Sequence, residues 1–280
     1  MPTYRYQIVN VFAEAPLSGN ALAVFEHAHD MGDELMQALA QQMNLSETAF
    51  ILRSDKATAR VRIFTAEREM AFAGHPVLGS AAVIRALLGG GDQMIVETRA
   101  ALVPLFARSD VWMLQAPRAL LRPCEASRTE LAQMLTLPLP EVLPHAAFVD
   151  NGNEQLMLPL ASADAVARCR PRVELLQSLA ANRLGQPKVY AWHRDGERIT
   201  ARYFTLVNGN LHEDPGTGSA ACNLGYWLLH HGQQALKAVI AQGDQISRAC
   251  RIALDIDTDG RVFVGGRVAR QGAGEINLPD

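Results

Sequence analysis

The sequence predicts a protein of mixed strands and helices, α/β or α+β in class, built as two similar units in tandem. Three observations carry this. Short apolar runs of strand period alternate with a few longer runs of helix period. One segment of the first half returns in the second. A proline-rich stretch, residues 137–144, separates the two copies.

Taken in order, strand patterns cover residues 4–11 and 21–25, followed by a helix pattern over 33–43. Two more strands, 48–52 and 59–64, lead to an apolar helix pattern over 76–88, and strands 94–98 and 111–115 with a helix over 128–135 close the first half. The second half opens with strands 146–150 and 155–159. A helix over 173–182, strands 188–193 and 199–204, a helix over 215–230, and strands 251–256 and 261–268 complete it. The division falls at 138/139, giving halves 1–138 and 139–280.

The chain has 280 residues, 49% apolar and 20% charged, with a net charge of −3. These are ordinary globular values and exclude a disordered or fibrous chain. There is no basic cluster to meet phosphates, so nucleic acid is not an expected partner. No apolar run approaches the roughly 18 residues of a membrane span, and residues 1–16 lack a signal-peptide pattern. The expectation is a cytoplasmic protein. Cys124, Cys169, Cys222 and Cys250 are widely spaced, with no metal-ligand spacing, and read as reduced, mostly buried thiols.

The repeat pairs "RIFTAEREMAFAGHPVLGSAA" with "RYFTLVNGNLHEDPGTGSAA". It matches His75-Pro76 with Asp214-Pro215, and Gly79-Ser80 with Gly218-Ser219. A Gly-Asn pair, Gly19-Asn20 and Gly152-Asn153, precedes a strand pattern in each half. Proline is tolerated in the first turn of a helix, which makes His75 and Asp214 the expected N-caps. Glycines there leave backbone N–H groups open to an anion at the positive end of the helix. Asp-Pro is also an ordinary cap, but His75 is a poor one, and two such loops facing across a cleft would make a small-molecule site. Glu47, in "NLSETAF", reads either as a solvated strand start or as a general base. Asp214 nearby would raise the pKa of such a base and helix ends would lower it, so the residues leave its direction open.

With these segments in hand, the chain resembles the PhzF-type phenazine biosynthesis family, related in fold to diaminopimelate epimerase. The matching pieces are "FAEAPLSGNALAVF", "MNLSETAFIL", "RIFTAEREMAFAGHPVLGSAA" and "HEDPGTGSAA", with a fainter "GGRV", in family order across almost the whole chain. The resemblance implies an α+β fold of two pseudo-symmetric halves, each a barrel-like, mostly antiparallel sheet around a central helix, with the active site between them. It also implies a homodimer.

The resemblance places the acid/base glutamate on Glu47, the histidine on His75, and the helix-start acid and serine on Asp214 and Ser219. Carboxylate-binding amides would belong to Gly74, Gly218 and Ser219. Two segments depart from the family pattern: Ser18-Gly19-Asn20-Ala21 for Ser-Gly-Asn-Pro, and Ser247-Arg248-Ala249-Cys250 for Gly-Arg-Pro-Ser.

The expected activity is a cofactor- and metal-independent isomerase that shifts a proton on a small carboxylated substrate, such as a dihydro-hydroxyanthranilate. A non-catalytic acid-binding protein is the alternative. A two-thiol racemase is disfavoured, because the cysteine positions of such enzymes fall here on Pro76 and Pro215.

Overall fold

The computed structural model describes residues 2–278. One continuous sheet curls into two halves, each wrapped on an apolar helix. In the first, Thr3–Val11 pairs with Asn20–Phe25, which runs parallel to Glu47–Leu52. Pairing continues through Ala59–Phe64, Gln93–Glu97, Leu102–Arg108 and Val111–Gln115. The last strand, Val262–Asn277, pairs with both Val111–Gln115 and Thr3–Val11 and closes a ring of eight strands.

Helix Gly74–Leu88 fills this ring. Apolar residues surround it, so it suits a fully enclosed position, and residues 74–81 are buried without exception. At Gly79 the strands come so close that an added Cβ would lie 2.6 Å from Leu22 Cδ2. Outside the ring, helix Asp33–Met43 lays Met36, Leu39 and Ala40 over Phe25, Phe50 and Phe64.

The second half repeats the plan. Leu120–Pro123, Ala147–Asp150, Gln155–Pro159, Lys188–Asp195, Arg198–Val207, Leu236–Gln242, Cys250–Ile256 and the start of Val262–Asn277 form its sheet. Helix Gly218–His230 lies inside it. Parallel pairs occur at matching places in the two halves, and the other pairings are antiparallel, as expected of an α+β barrel pair. Each half also gives a strand to the other. Leu120–Pro123 pairs into the second sheet, while residues 268–277 pair with Thr3–Val11.

Most expected elements stand where periodicity put them. Helices Asp33–Met43 and Arg128–Leu135 match to the residue, and the latter carries a Ser127–Glu130 capping box. Strands Leu102–Arg108, Leu120–Pro123, Asn210–Asp214 and Leu236–Gln242 were not foreseen. In Leu102–Arg108 the strand breaker Pro104 is accommodated because pairing with Val111–Gln115 begins only at Leu105.

Two local expectations are corrected. The N-caps are Ala73 and Thr217, not His75 and Asp214. His75 lies inside the first turn, and Asp214 ends a strand three residues before the cap. The repeat also changes register. Arg62 forms a two-pronged ion pair with Glu69, and Arg202 forms the same pair with Glu213. Glu69 lies opposite Phe64, and Glu213 opposite Phe204.

From each glutamate the helix-start glycine is the fifth residue on, so Gly74 corresponds to Gly218, and His75 to Ser219. The second hairpin is longer by four residues, and a match on the Gly-Ser-Ala-Ala letters, which pairs Gly79 instead of Gly74 with Gly218, slips by five. Among the described residues no helix is long and apolar enough to cross a membrane.

Candidate active site

The two core helices meet end to end. A Cβ on Gly74 would lie 2.7 Å from the carbonyl carbon of Gly218 and 2.9 Å from the Ser219 nitrogen. Neither start has a side-chain cap. Their first-turn N–H groups therefore converge on one small region, and both positive helix ends face it. A cavity of about 630 Å³ opens there, lined among others by Glu47, Gly74, His75, Asp214, Gly218 and Ser219. All six residues singled out in the sequence come together.

Glu47 opens the strand Glu47–Leu52, and its side chain is 17% exposed, so the solvated reading of this residue fails. Its Oε2 lies 3.5 Å from His75 Nε2, and both atoms lack a hydrogen-bond partner. Burial first, then the Asp214 charge, pushes the Glu47 carboxyl up to about 8, with Lys188 pulling the other way. Burial holds His75 down to about 4 against the pull of Asp214. Burial thus favours the uncharged form of both groups. The direction that the sequence left open is set by desolvation.

Asp214 is fixed by three donors: Asn20 Nδ2 at 3.0 Å, Ser46 Oγ at 3.2 Å, and the Thr217 hydroxyl. Asn20 Nδ2 also donates to the Gly216 carbonyl at 3.0 Å and lies 3.4 Å from His75 Nδ1. Both firm partners of Nδ2 are acceptors, which determines the amide orientation, and they take its two protons. The amide nitrogen has no lone pair for a proton on Nδ1, which favours the tautomer with the imidazole proton on Nε2, facing Glu47. On the other side Asn153 Nδ2 and Gln155 Nε2 donate to Ser219 Oγ at 3.1 and 2.9 Å. Asn20 serves His75 as Asn153 serves Ser219.

The sequence had marked these two Gly-Asn pairs as repeat signals without assigning them to the site. Ser46, Thr217, Gln155 and Lys188 carried no signal, since each gains its role through contacts across the fold. The two segments that depart from the family pattern meet behind the site. Arg248 donates to the Leu17 and Gly19 carbonyls, and the Gly19 N–H donates to the Ala249 carbonyl. Cys222 is buried within its helix, and none of the four thiols lines the cavity.

This fold and site have relatives. The family model described as "Phenazine biosynthesis-like protein" matches residues 9–273. An "uncharacterized isomerase" of Pasteurella multocida is 36% identical over 99% of this chain and 95% of its own. A trans-2,3-dihydro-3-hydroxyanthranilate isomerase of Pseudomonas aeruginosa is 32% identical over 94% of this chain and 99% of its own.

Among solved structures, a predicted epimerase from Pseudomonas aeruginosa superposes with a TM-score of 0.83 at 31% identity, covering 99% of this chain and 100% of that one. A hydroxyproline epimerase from Agrobacterium vitis shares the fold more distantly, with a TM-score of 0.61 at 10% identity over 99% of this chain and 93% of that one. The chain belongs to the phenazine biosynthesis-like PhzC/PhzF family and is an isomerase of that family.

Proposed function

We propose that this isomerase moves a proton between two carbons of a small carboxylated substrate, with Glu47 as the acid/base and no cofactor. The observation that carries the reading is the Glu47–His75 pair, two unpartnered buried atoms 3.5 Å apart beside two touching helix starts. The substrate carboxylate sits on the N–H groups of Gly74, Gly218 and Ser219, where the helix ends stabilise negative charge as the proton leaves.

Glu47, once ionised, takes the proton from the carbon, and its high pKa makes it a stronger base than an exposed carboxylate. The electron pair spreads into the conjugated system toward the bound carboxylate. Glu47 then returns the proton to a second carbon, so the step is redox-neutral and the catalyst is regenerated. His75 Nε2–H and Asp214 orient the substrate hydroxyl or amino group. A dihydro-hydroxyanthranilate frame, that of the compound in the name of the Pseudomonas aeruginosa relative, fits these demands. The homodimer and the cytoplasmic location are part of the same proposal.

Incubation with trans-2,3-dihydro-3-hydroxyanthranilate in heavy water should place deuterium on carbon. Glu47→Gln should abolish this and leave the fold intact. Exchange by Glu47→Gln at the wild-type rate would refute the assignment.

A further inference from the structure

One wall of the same cavity carries positive charge that the proton shift does not use. Lys188 opens the strand Lys188–Asp195, is 7% exposed, and donates from Nζ to Asn153 Oδ1 at 2.6 Å. Arg68, half-buried in the loop ahead of the Gly74 helix, donates to Gln186 Oε1. Both line the cavity. Their charges act on each other, and burial together with Arg68 pulls the Lys188 ammonium down to about 8.

Among the described residues neither cation has a carboxylate within 4.0 Å, and the nearby acids are engaged elsewhere. Glu154 is held by Arg122 at 2.7 Å and by the Arg183 N–H at 2.7 Å. Asp150 accepts from the Gly152 N–H at 2.9 Å. Glu67 is exposed and accepts from the Asn208 N–H. Glu47 lies beyond 4.0 Å, and burial favours its uncharged form and that of His75. A buried ammonium without a counter-ion is unfavourable, and a bound anion removes that cost.

The position is also suited to a ligand. Asn153 links Lys188 to Ser219, receiving the ammonium on Oδ1 and donating from Nδ2 to the Ser219 hydroxyl at 3.1 Å. The unused cation thus stands one side chain away from the helix-start seat. We propose that the substrate carries a second carboxylate, held by Lys188 and Arg68 while the first rests on the two helix starts. This rests on the helix starts being the seat of the first carboxylate.

The test is a calorimetric titration of anthranilate against its 4-carboxy and 5-carboxy derivatives and their ring-carboxylate methyl esters. One diacid should bind the wild type about ten- to hundredfold more tightly than anthranilate, the gain expected of hydrogen bonds to a charged group. Its ester should lose that gain. Arg68→Gln, at a half-exposed position that spares the core, and Lys188→Gln should each cut the diacid preference about tenfold or more.

Diacid and monoacid binding the wild type equally would overturn the second site while leaving the first seat standing. An ester as tight as its diacid would also overturn it, since a neutral acceptor would then suffice. If none of the acids binds, both readings fall. If Lys188→Gln keeps the diacid preference and only moves the pH profile, the amine serves Glu47 and the proposal fails.

Discussion

Alanine in place of Gly74 puts a methyl group where the other core helix already lies. Its three nearest neighbours would be the Gly218 carbonyl carbon at 2.7 Å, the Gly218 Cα at 2.9 Å and the Ser219 nitrogen at 2.9 Å. Non-bonded carbons rest at about 3.5–4.0 Å, so the two helix starts must separate by roughly 0.8 Å. All three neighbours are main chain, and no rotamer change can absorb the movement. An amide donor about 2.9 Å from a bound oxygen then stands near 3.7 Å, outside hydrogen-bond range.

A displacement of this size should lower kcat/KM about a hundredfold, and overpacking should remove about 1–3 kcal/mol of stability. Gly218→Ala is milder. Its closest contacts, 3.1 Å to Gly74 Cα and to the His75 nitrogen, ask for a few tenths of an ångström. A loss nearer tenfold is expected there, by the same dependence of rate on placement.

The assay is turnover together with calorimetric binding of anthranilate, on variants shown by circular dichroism to be folded. If folded Gly74→Ala binds and turns over within about threefold of wild type, the two helix starts do not share an anion. The same follows if Gly218→Ala proves the more damaging change.

Two further predictions concern protons and thiols. Glu47 must be ionised to accept a proton, and its carboxyl is pushed up to about 8. Therefore kcat/KM should climb roughly tenfold from about pH 6 to 7 and level off above about 8. His75, near 4, is neutral throughout and adds no limb. A profile falling over this range would show that the protonated acid starts the reaction. Iodoacetamide should modify at most the half-buried Cys124 and leave turnover intact, because Cys169, Cys222 and Cys250 are buried and burial pushes their thiols up. Substrate-protected loss of activity on alkylation would return the racemase reading.

The barrels were legible because their parts obey local rules. Residues 74–84 of the helix Gly74–Leu88 are nearly all apolar and have to be enclosed, and strands such as Ala59–Phe64 carry their own period. Asn210–Asp214 was invisible for the opposite reason. Its polar residues gain strand geometry from pairing with Tyr203–Val207.

At the site, the repeated helix start singled out His75, Asp214, Gly218 and Ser219, and the residues offered Glu47 as one of two readings; the family likeness chose the base reading and added Gly74. The caps were misplaced because proline marks a first turn without saying which residue begins it. The repeat register slipped because identical letters, Gly-Ser-Ala-Ala, outweighed the Arg62–Glu69 and Arg202–Glu213 pairs that fix the true equivalence. Lys188 looked like any charged residue in a strand until the fold placed it against Asn153.

The closing strand has a consequence for biosynthesis. Thr3 pairs with Asn277, so a strand made early waits for one made much later before the ring can shut. Until then Thr3–Val11 and Val111–Gln115 present raw edges, the kind that recruit strands from other chains. Loop closure on this scale makes folding slow and concentrates the risk of aggregation in the nascent chain. Deleting residues 268–277 should therefore harm solubility well before it touches any group at the site. Such a truncation belongs to quality control, where abundance rather than turnover decides the phenotype.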